Sequence, residues 1–403
     1  MPRPRKVLLI VENQAVPFDD RVWKEAQALR DHGYQVTVIC PTAGRYPAGY
    51  ELLEKVHIYR YPMLWEGSGA LGYAFEYFWA ILCQMLLAFW VFVRRGFGVI
   101  QGCNPPDTIF LVAWPFKVFG VGYIFDHHDV CPELYESKYA RRDMAYRILW
   151  RLESLTFATA KVTIATNQSY KELAIRRGGM KPENVFVVRN GPDLDRFRAV
   201  APKPELKQGK KFLIGYVGTM EAQDGLDLLI DVAAILRDAG RCDLHFTCVG
   251  GGTQLKRLRQ MVVDKGLEEW IDFTGRVPFE TLMGVLSTAD LCVNPDPPCP
   301  LNDISTMIKI MEYMALGKPM VAFDTREGRF SAGEACLYAE GPNPQADFAA
   351  KILHLLDHAE ERERRGAIGR NRVESELAWK YSVPHLLAAY EKAFSANSRK
   401  SLP

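Results

Sequence analysis

The sequence predicts an α/β protein of two similar halves, each a parallel sheet covered by helices. Three observations carry this reading. Short apolar runs bounded by turn residues alternate with segments of helical period, first over residues 1–190 and again from Phe212 onward. Between the two series stands Pro202-Lys-Pro-Glu-Leu-Lys-Gln-Gly, polar and rich in breakers, a linker by composition. The chain has 403 residues, enough for two or three domains that each bury a core.

Composition narrows the class. A hydrophobic share of 48% and a charged share of 24% are those of an ordinary globular protein. The net charge of +2 gives no whole-molecule field. The nine cysteines are scattered and no pair has C-x-x-C spacing. Neither a zinc site nor a disulfide framework is indicated, and a reducing cytosol is expected. The start, MPRPRKVLLIVEN, is basic, but its apolar run is too short for a signal-peptide core and reads as a first strand.

In chain order, Lys6–Val11 is a strand buried on both faces. Asp19-Asp20 cap a helix over Arg21–His32, which Gly33 ends, and Tyr34–Cys40 is a second strand. This is a βαβ unit with a right-handed crossover. The first turn reads NQAVPFDD and lacks G-x-G-x-x-G, which disfavours a nicotinamide enzyme. Ala70–Val93 is a long apolar segment followed by Arg94-Arg95, with Glu76 and Gln84 inside it. About twenty apolar residues suffice to span a bilayer. Glu76, Gln84 and the strand Phe97–Gln101 close behind argue against spanning, so the segment reads as a helix of the βα rhythm, or as an interfacial helix that dips Trp79, Phe89, Trp90 and Phe92 into lipid. Arg141, Arg142, Arg147 and Arg151 form a second basic run, either a solvated helix face or more of that patch. No nucleic-acid motif accompanies it. Strands follow at Phe97–Gln101, Tyr123–Asp126, Lys161–Thr166 and Asn184–Val188, about six in this half by the pattern of apolar runs.

The second half repeats the rhythm. Strands are expected at Phe212–Val217, Asp243–Val249, Trp270–Thr274, Leu291–Asn294 and Cys336–Ala339. Helices are expected at Gly225–Ala239, Gln254–Lys265, Phe279–Thr288, Pro344–His358, Glu360–Arg372 and, last, Tyr381–Ala396. Within this series lies Pro300–Asp324. Asn302, Asp303, Ser305 and Thr306 are helix-capping types, Met307, Ile308, Met311 and Met314 share a face, and Gly317-Lys-Pro319 ends the helix before a short strand. Free N–H groups at a helix start favour an anion. Lys309 and Glu312, three apart, are neighbours on one face. A solvated salt bridge on a capped helix and a ligand site explain this stretch equally well. The cleft between two α/β halves is the default ligand site.

Taken together, GYVGTMEAQDGLD (215–227), CVGGGTQLKRL (248–258), FTGRV (273–277), ADLCVNPD (289–296) and STMIKIMEYMALGKPMVAF (305–323) resemble the donor domain of glycosyltransferase family 4. DDRVWKEAQALRDHGYQVTVI (19–39), DHHDVCPEL (126–134) and RNGPDLDRF (189–197) resemble its first domain. The resemblance covers nearly the whole chain and is nearest to bacterial enzymes of surface-polysaccharide assembly. It implies the GT-B fold, two Rossmann-like domains with parallel sheets facing across a cleft. Residues 1–198, completed by a helix over 381–403, would bind the acceptor, and residues 199–380 the nucleotide sugar.

It also implies roles. Glu312 aligns with the family's ribose-binding acid. Lys309, Ser305, Thr306, Gly218 and Gly251 would surround the diphosphate, and the base would lie near Arg276 and Val277. His127 is the preferred imidazole, with His128 beside it and Asp129 next, and Asp303 would reach the donor hexose. Phe18, Asp19 and Arg21 would line the acceptor side. The sequence departs from the family's pattern twice. Asp224-Gly225 stands where a basic residue precedes the glycine, and Ile304 stands eight positions before Glu312, where the first acid is expected.

The implied activity is retaining transfer of a hexose or N-acetylhexosamine from a UDP- or GDP-linked sugar to a lipid-linked or oligosaccharide acceptor. It would need no metal or other cofactor and would occur peripherally on the inner, cytoplasmic face of the cell membrane. An NDP-sugar 2-epimerase of the same architecture is disfavoured because His245, His354 and His358 lie outside the motif loops. A degenerate transferase kept as a membrane-associated assembly partner is the reading from a different class.

Overall fold

The computed structural model describes residues 5–63 and 69–395, without the side chains of 69–71, 73 and 74. The chain forms two compact units, Met1–Asn190 with Ser382–Pro403, and Gly191–Tyr381.

The first unit is an eight-stranded sheet in the order β3-β4-β2-β1-β5-β6-β7-β8. Its strands are β1 (Lys6–Val11), β2 (Gln35–Pro41), β3 (Gly49–Leu53), β4 (Val56–Tyr61), β5 (Val99–Cys103), β6 (Gly122–His127), β7 (Val162–Ala165) and β8 (Val185–Val187). All neighbours are parallel except β3 on β4. The antiparallel β3–β4 hairpin escapes a search for apolar runs. Its residues YELLEKVHIYRY carry charge, and Glu54 and Lys55 both turn at positive φ (46° and 67°).

Helix α1 (Asp20–Asp31) starts at the expected cap, where the Asp19 carboxylate accepts from Val22 N–H at 3.0 Å. Helix α2 (Gly69–Arg94) is 26 residues long and joins β4 to β5. Helix α3 (Phe110–Ala113) runs into a 3-10 turn, Trp114–Phe119. Helices α4 (Cys131–Tyr139), α5 (Met144–Thr159) and α6 (Gln168–Arg176) complete the layer. The steps β4→β5, β5→β6 and β6→β7 all cross the sheet in one direction, opposite to β1→β2. Right-handed crossovers therefore put α2, α3 and α5 on the face away from α1.

The second unit is a parallel six-stranded sheet in the order β11-β10-β9-β12-β13-β14. The strands are β9 (Phe212–Thr219), β10 (Leu244–Gly251), β11 (Ile271–Gly275), β12 (Leu291–Asn294), β13 (Met320–Phe323) and β14 (Cys336–Ala339). The helices are α7 (Leu226–Asp238), α8 (Leu255–Asp264), α9 (Phe279–Thr288), α10 (Pro300–Ile304), α11 (Ile308–Ala315), α12 (Arg326–Ala332), α13 (Pro344–Asp357) and α14 (Ala359–Arg372). Apolar cores fill both faces of this sheet, one around Tyr216, Phe246 and Phe348, the other around Met311, Tyr313 and Met314. Helix α15 (Trp379–Ser395) carries the chain from this unit back to the first.

Two expectations need correction. The polar stretch 202–209 is no free linker. It packs on the second unit, where Lys203 N–H donates to Thr288 Oγ1 at 2.8 Å and Lys207 pairs with Asp290 at 2.8 Å. The loop expected ahead of the helix contains a short helix of its own, α10. Ser305 and Met307 follow it in extended conformation, and Met307, without a side-chain cap bond, precedes α11.

Candidate active site

In the second unit, the carboxyl ends of β9, β10 and β12 approach one another through bare backbone. Gly250 pairs with Gly218 in the ladder at φ +137°, and a Cβ there would lie 1.8 Å from the Gly218 carbonyl oxygen. Gly225, at φ +65°, would put a Cβ 2.0 Å from the Pro295 oxygen. Helix α11 is tied to these strand ends by the buried Tyr313. Its hydroxyl accepts from Val217 N–H at 2.9 Å and donates to the Val293 carbonyl at 3.3 Å.

That anchoring places Lys309 and Glu312 one turn apart. Lys309 is no exposed cation. Its Nζ lies 2.8 Å from Asp296 Oδ2, 3.4 Å from the Tyr216 hydroxyl and 4.9 Å from the Tyr216 ring centroid. Burial pushes the Asp296 carboxyl up to about 6, against the opposing pull of Lys309 and with the help of Asp224. Glu312 is half-buried beside it. Asp224, where the family's cation was expected, shapes a turn instead. Its Oδ2 accepts from Thr219 Oγ1 at 2.9 Å and Glu221 N–H at 2.8 Å.

The other expected donor residues sort unevenly. The side chain of Arg276 runs over Gly251, with its Cγ 3.3 Å from where a Cβ would stand, and Val277 packs into the core beside it. Ser305 and Thr306 belong to the extended connection, not to a helix start, so the free N–H groups are those of Ile308 and Lys309. Asp303 is already engaged, accepting from Arg326 N–H at 2.8 Å at the start of α12. Asn302 is buried and donates to Gln223 and Pro297 carbonyls at 3.0 and 2.9 Å.

In the first unit a polar cluster lies at the ends of β5 and β6. Arg21 is its centre. Its guanidinium donates to Asp126 Oδ1 and the Val188 carbonyl at 2.8 and 2.9 Å and lies 3.2 Å from Glu25. The expectation that Arg21 faces an acceptor is therefore corrected, since the residue is buried and saturated by protein groups. Asp19 is likewise spent on capping α1, whereas Phe18 is exposed. His128 Nε2 sits 2.6 Å from Asp126 Oδ2 and 2.8 Å from Arg21 Nε. Gln101 donates its amide to both Glu25 (2.6 Å) and Asp126 (2.9 Å), and its oxygen accepts from Tyr390 of α15 at 2.6 Å.

The ionisations follow from this geometry. Burial pushes the Asp126 carboxyl up, but Arg21 and His128 outweigh it and hold Asp126 well below the carboxylate range. Burial and the nearby Asp126 push Glu25 up to about 8. Burial lowers His128, yet Asp126 more than reverses this and favours the imidazolium. Asp129, pushed up by burial, is held at the loop, where Asn104 Oδ1 accepts from the N–H of His128 at 2.6 Å and of Asp129 at 3.2 Å.

The preference for His127 is overturned. That ring is fully buried among Phe125, Phe157 and Tyr170, with centroids at 5.0, 5.4 and 4.9 Å. Burial, then Arg177, depress it to about 3, so it stays neutral. Alternation along β6 sends Asp126 and His127 to opposite faces, and His128, just past the strand, joins Asp126. Cys103, Asp126 and His128 offer ligand atoms within 4.8 Å of one another, the one such trio found among the described residues. Arg21 already supplies the positive charge there, and burial keeps Cys103 a thiol. Glu25, Gln101, Asp296, Tyr313 and Tyr390 were missed by sequence reasoning. The only signal was a polar residue inside an apolar run, as at Gln101.

Each unit matches a known family model. Residues 21–196 match the family model described as Glycosyltransferase Family 4, and residues 211–358 the model described as Glycosyl transferases group 1. A D-inositol 3-phosphate glycosyltransferase of Geodermatophilus obscurus is 28% identical over 270 residues, 62% of this chain and 57% of that protein. A mannosylfructose-phosphate synthase of Agrobacterium fabrum is 27% identical over 255 residues, 59% of this chain and 54% of that protein. The chain thus spans little more than half the length of these curated relatives. Among solved structures, sucrose-phosphate synthase of Thermosynechococcus elongatus superposes with a TM-score of 0.80 at 19% identity, covering 97% of this chain and 100% of that one. Anabaena Alr3699/HepE in complex with UDP-glucose gives 0.70 at 17%, covering 98% and 99%.

The fold is therefore GT-B, the two-unit architecture of nucleotide-sugar transferases. With matched segments on both units, the chain belongs to glycosyltransferase family 4.

Proposed function

We propose that this chain is a retaining glycosyltransferase. It moves a hexose or N-acetylhexosamine from a nucleoside diphosphate sugar to a lipid-linked or saccharide acceptor in surface-polysaccharide assembly, at the cytoplasmic membrane face. One observation carries the reading. In a family 4 chain, Lys309 and Glu312 lie one turn apart at the start of α11, which Tyr313 holds against β9 and β12. Glu312 takes both ribose hydroxyls. Lys309 and the Ile308 and Lys309 N–H groups take the diphosphate, a charge-assisted arrangement at a helix start. Gly218 and Gly251 admit the nucleotide close to backbone, and the base rests near Arg276 and Val277. Asp303 with Ser305 and Thr306 adjoin the hexose. His128, flanked by Asp129, is the imidazole on offer to substrate. The UDP-glucose bound by the Anabaena relative supports a UDP-linked donor.

In front-face attack the glycosidic C1–O bond to the diphosphate breaks as the acceptor oxygen bonds to C1 on the same face. The leaving phosphate oxygen takes the acceptor's proton. The protein's task is positioning and stabilisation of the leaving charge. The reading assigns that to Lys309 and α11, and assigns no metal. Calorimetric titration with UDP and with GDP tests it. One nucleotide binds, and Glu312→Ala weakens it at least about tenfold, about 1.4 kcal/mol, with unchanged thermal unfolding. Failure of the parent chain to bind either nucleotide refutes the proposal.

A further inference from the structure

Helix α2 is inverted relative to a soluble surface helix. The stripe it turns to the sheet is small and partly polar, namely Ala80, Gln84, Ala88 and Val91, all buried. The stripe it turns outward is large and apolar. Phe75, Phe78, Leu82, Leu86, Phe89 and Val93 are 41–81% exposed at helical spacing. Two of the expected lipid-dipping residues are inward anchors instead. Trp79 donates to the Pro62 carbonyl at 2.8 Å, and Phe92 packs on Phe97 and Phe116 at 5.1 and 5.3 Å.

The apolar face continues beyond α2. Phe89 meets Phe116 at 4.9 Å, and the adjoining turn exposes Trp114, Val118 and Phe119. Trp114 in turn donates to Thr159 of α5 at 3.1 Å, and α5 exposes Met144, Ile148 and Trp150. So much exposed apolar surface on one layer of helices marks an interaction surface.

Charge identifies the occupant. Exposed on these segments are Arg94, Lys117, Arg147 and Arg151, with Arg94 lying 5.6 Å over the Trp90 ring. The only acids in α2, the Trp114–Phe119 turn and α5 are Glu76 and Glu153, half-buried and buried. An apolar, tryptophan-bearing face with cations, whose one bordering exposed carboxylate, Asp143, is spent on capping α5, complements an anionic bilayer. Helix α2 is long and apolar enough to cross a membrane by length and composition. Yet it packs along a sheet that holds both strands it connects, β4 and β5.

We propose that the outward face of α2, the Trp114–Phe119 turn and α5 docks on an anionic lipid surface, with α2 lying along that surface rather than through it. This deepens the membrane-face part of the reading above and is independent of donor chemistry.

Vesicle flotation of the full chain tests it, with phosphatidylcholine alone or with about one third phosphatidylglycerol. The parent floats with the anionic vesicles and is released by high salt plus alkaline carbonate. Leu86→Glu, at an exposed position, reduces binding at least about tenfold with unchanged thermal unfolding and UDP affinity. The double change Arg147→Ser, Arg151→Ser weakens it about fivefold per cation and reduces the preference for phosphatidylglycerol, which Arg94 and Lys117 then carry alone. Three results would overturn the proposal: no flotation of the parent, retention through carbonate as for a spanning helix, or a dimer in solution that Leu86→Glu dissociates. UDP binding is read on the same samples, so a failed donor reading and a failed docking surface are told apart.

Discussion

Replacing Lys309 by Met should destabilise the second unit by an amount that grows with pH. Asp296, buried beside Lys309, has its carboxyl raised from 3.8 to about 6. An acid with a raised folded-state pKa opposes folding when ionised. The cost is fully present above about 6 and disappears as pH falls toward 3.8. From this one group it amounts to about 3 kcal/mol, at about 1.4 kcal/mol per unit. Lys309 is the group that pulls Asp296 down, so its loss moves the carboxyl higher still. At pH 5 the carboxyl is protonated in both proteins. Met nearly matches the lysine stem, so the difference there should stay within about 1 kcal/mol. Above pH 6 the gap widens by about 1.4 kcal/mol per unit until the variant's own pKa is passed, reaching up to about 2.7 kcal/mol at pH 8. Urea unfolding by pulse proteolysis at pH 5, 7 and 8 reads this, with fragments of the second unit followed separately because two units need not unfold together. Adding Asp296→Asn should flatten the difference. A gap independent of pH, or largest at pH 5, refutes the assignment of Asp296 and Lys309 as a coupled pair.

Other predictions follow from the same contacts. Gly250→Ala drives a methyl into the Gly218 carbonyl at 1.8 Å, in a left-handed conformation. It should cost about 3 kcal/mol or more by urea unfolding and abolish UDP binding. Gln101→Leu breaks the amide bridge to Glu25 and Asp126, and Tyr390→Phe removes the hydroxyl that orients that amide. Each should cost about 1–3 kcal/mol, and Gln101→Leu, by stripping a donor from Asp126, should also raise the His128 pKa in an NMR titration. His127→Ala should chiefly lower stability, by about 2–4 kcal/mol as an aromatic-lined cavity, whereas His128→Ala should chiefly lower turnover.

The chain itself determined the architecture. The two βα series, the caps at Asp19 and Gly317, and the motif from Ser305 to Phe323 are local patterns, and each recurs in the structure within a residue or two. They are legible because strand burial, capping and left-handed turns depend on residues near in sequence. Glu312 and Lys309 could be singled out for the same reason, since helical spacing alone makes them neighbours. What local pattern could not supply was the identity of long-range partners. Adjacent imidazoles at 127 and 128 look alike in sequence. Only the register of β6 sends one into an aromatic core and the other to Asp126 and Arg21. Lys309 and Asp296 are thirteen residues apart, and a β-strand end has to meet a helix before their charges pair. The sequence determined that Ala70–Val93 is apolar and helical. Only tertiary packing decided that its small side faces the sheet and its large side faces out, because a helix touches a sheet with the face that lets the backbones come closest.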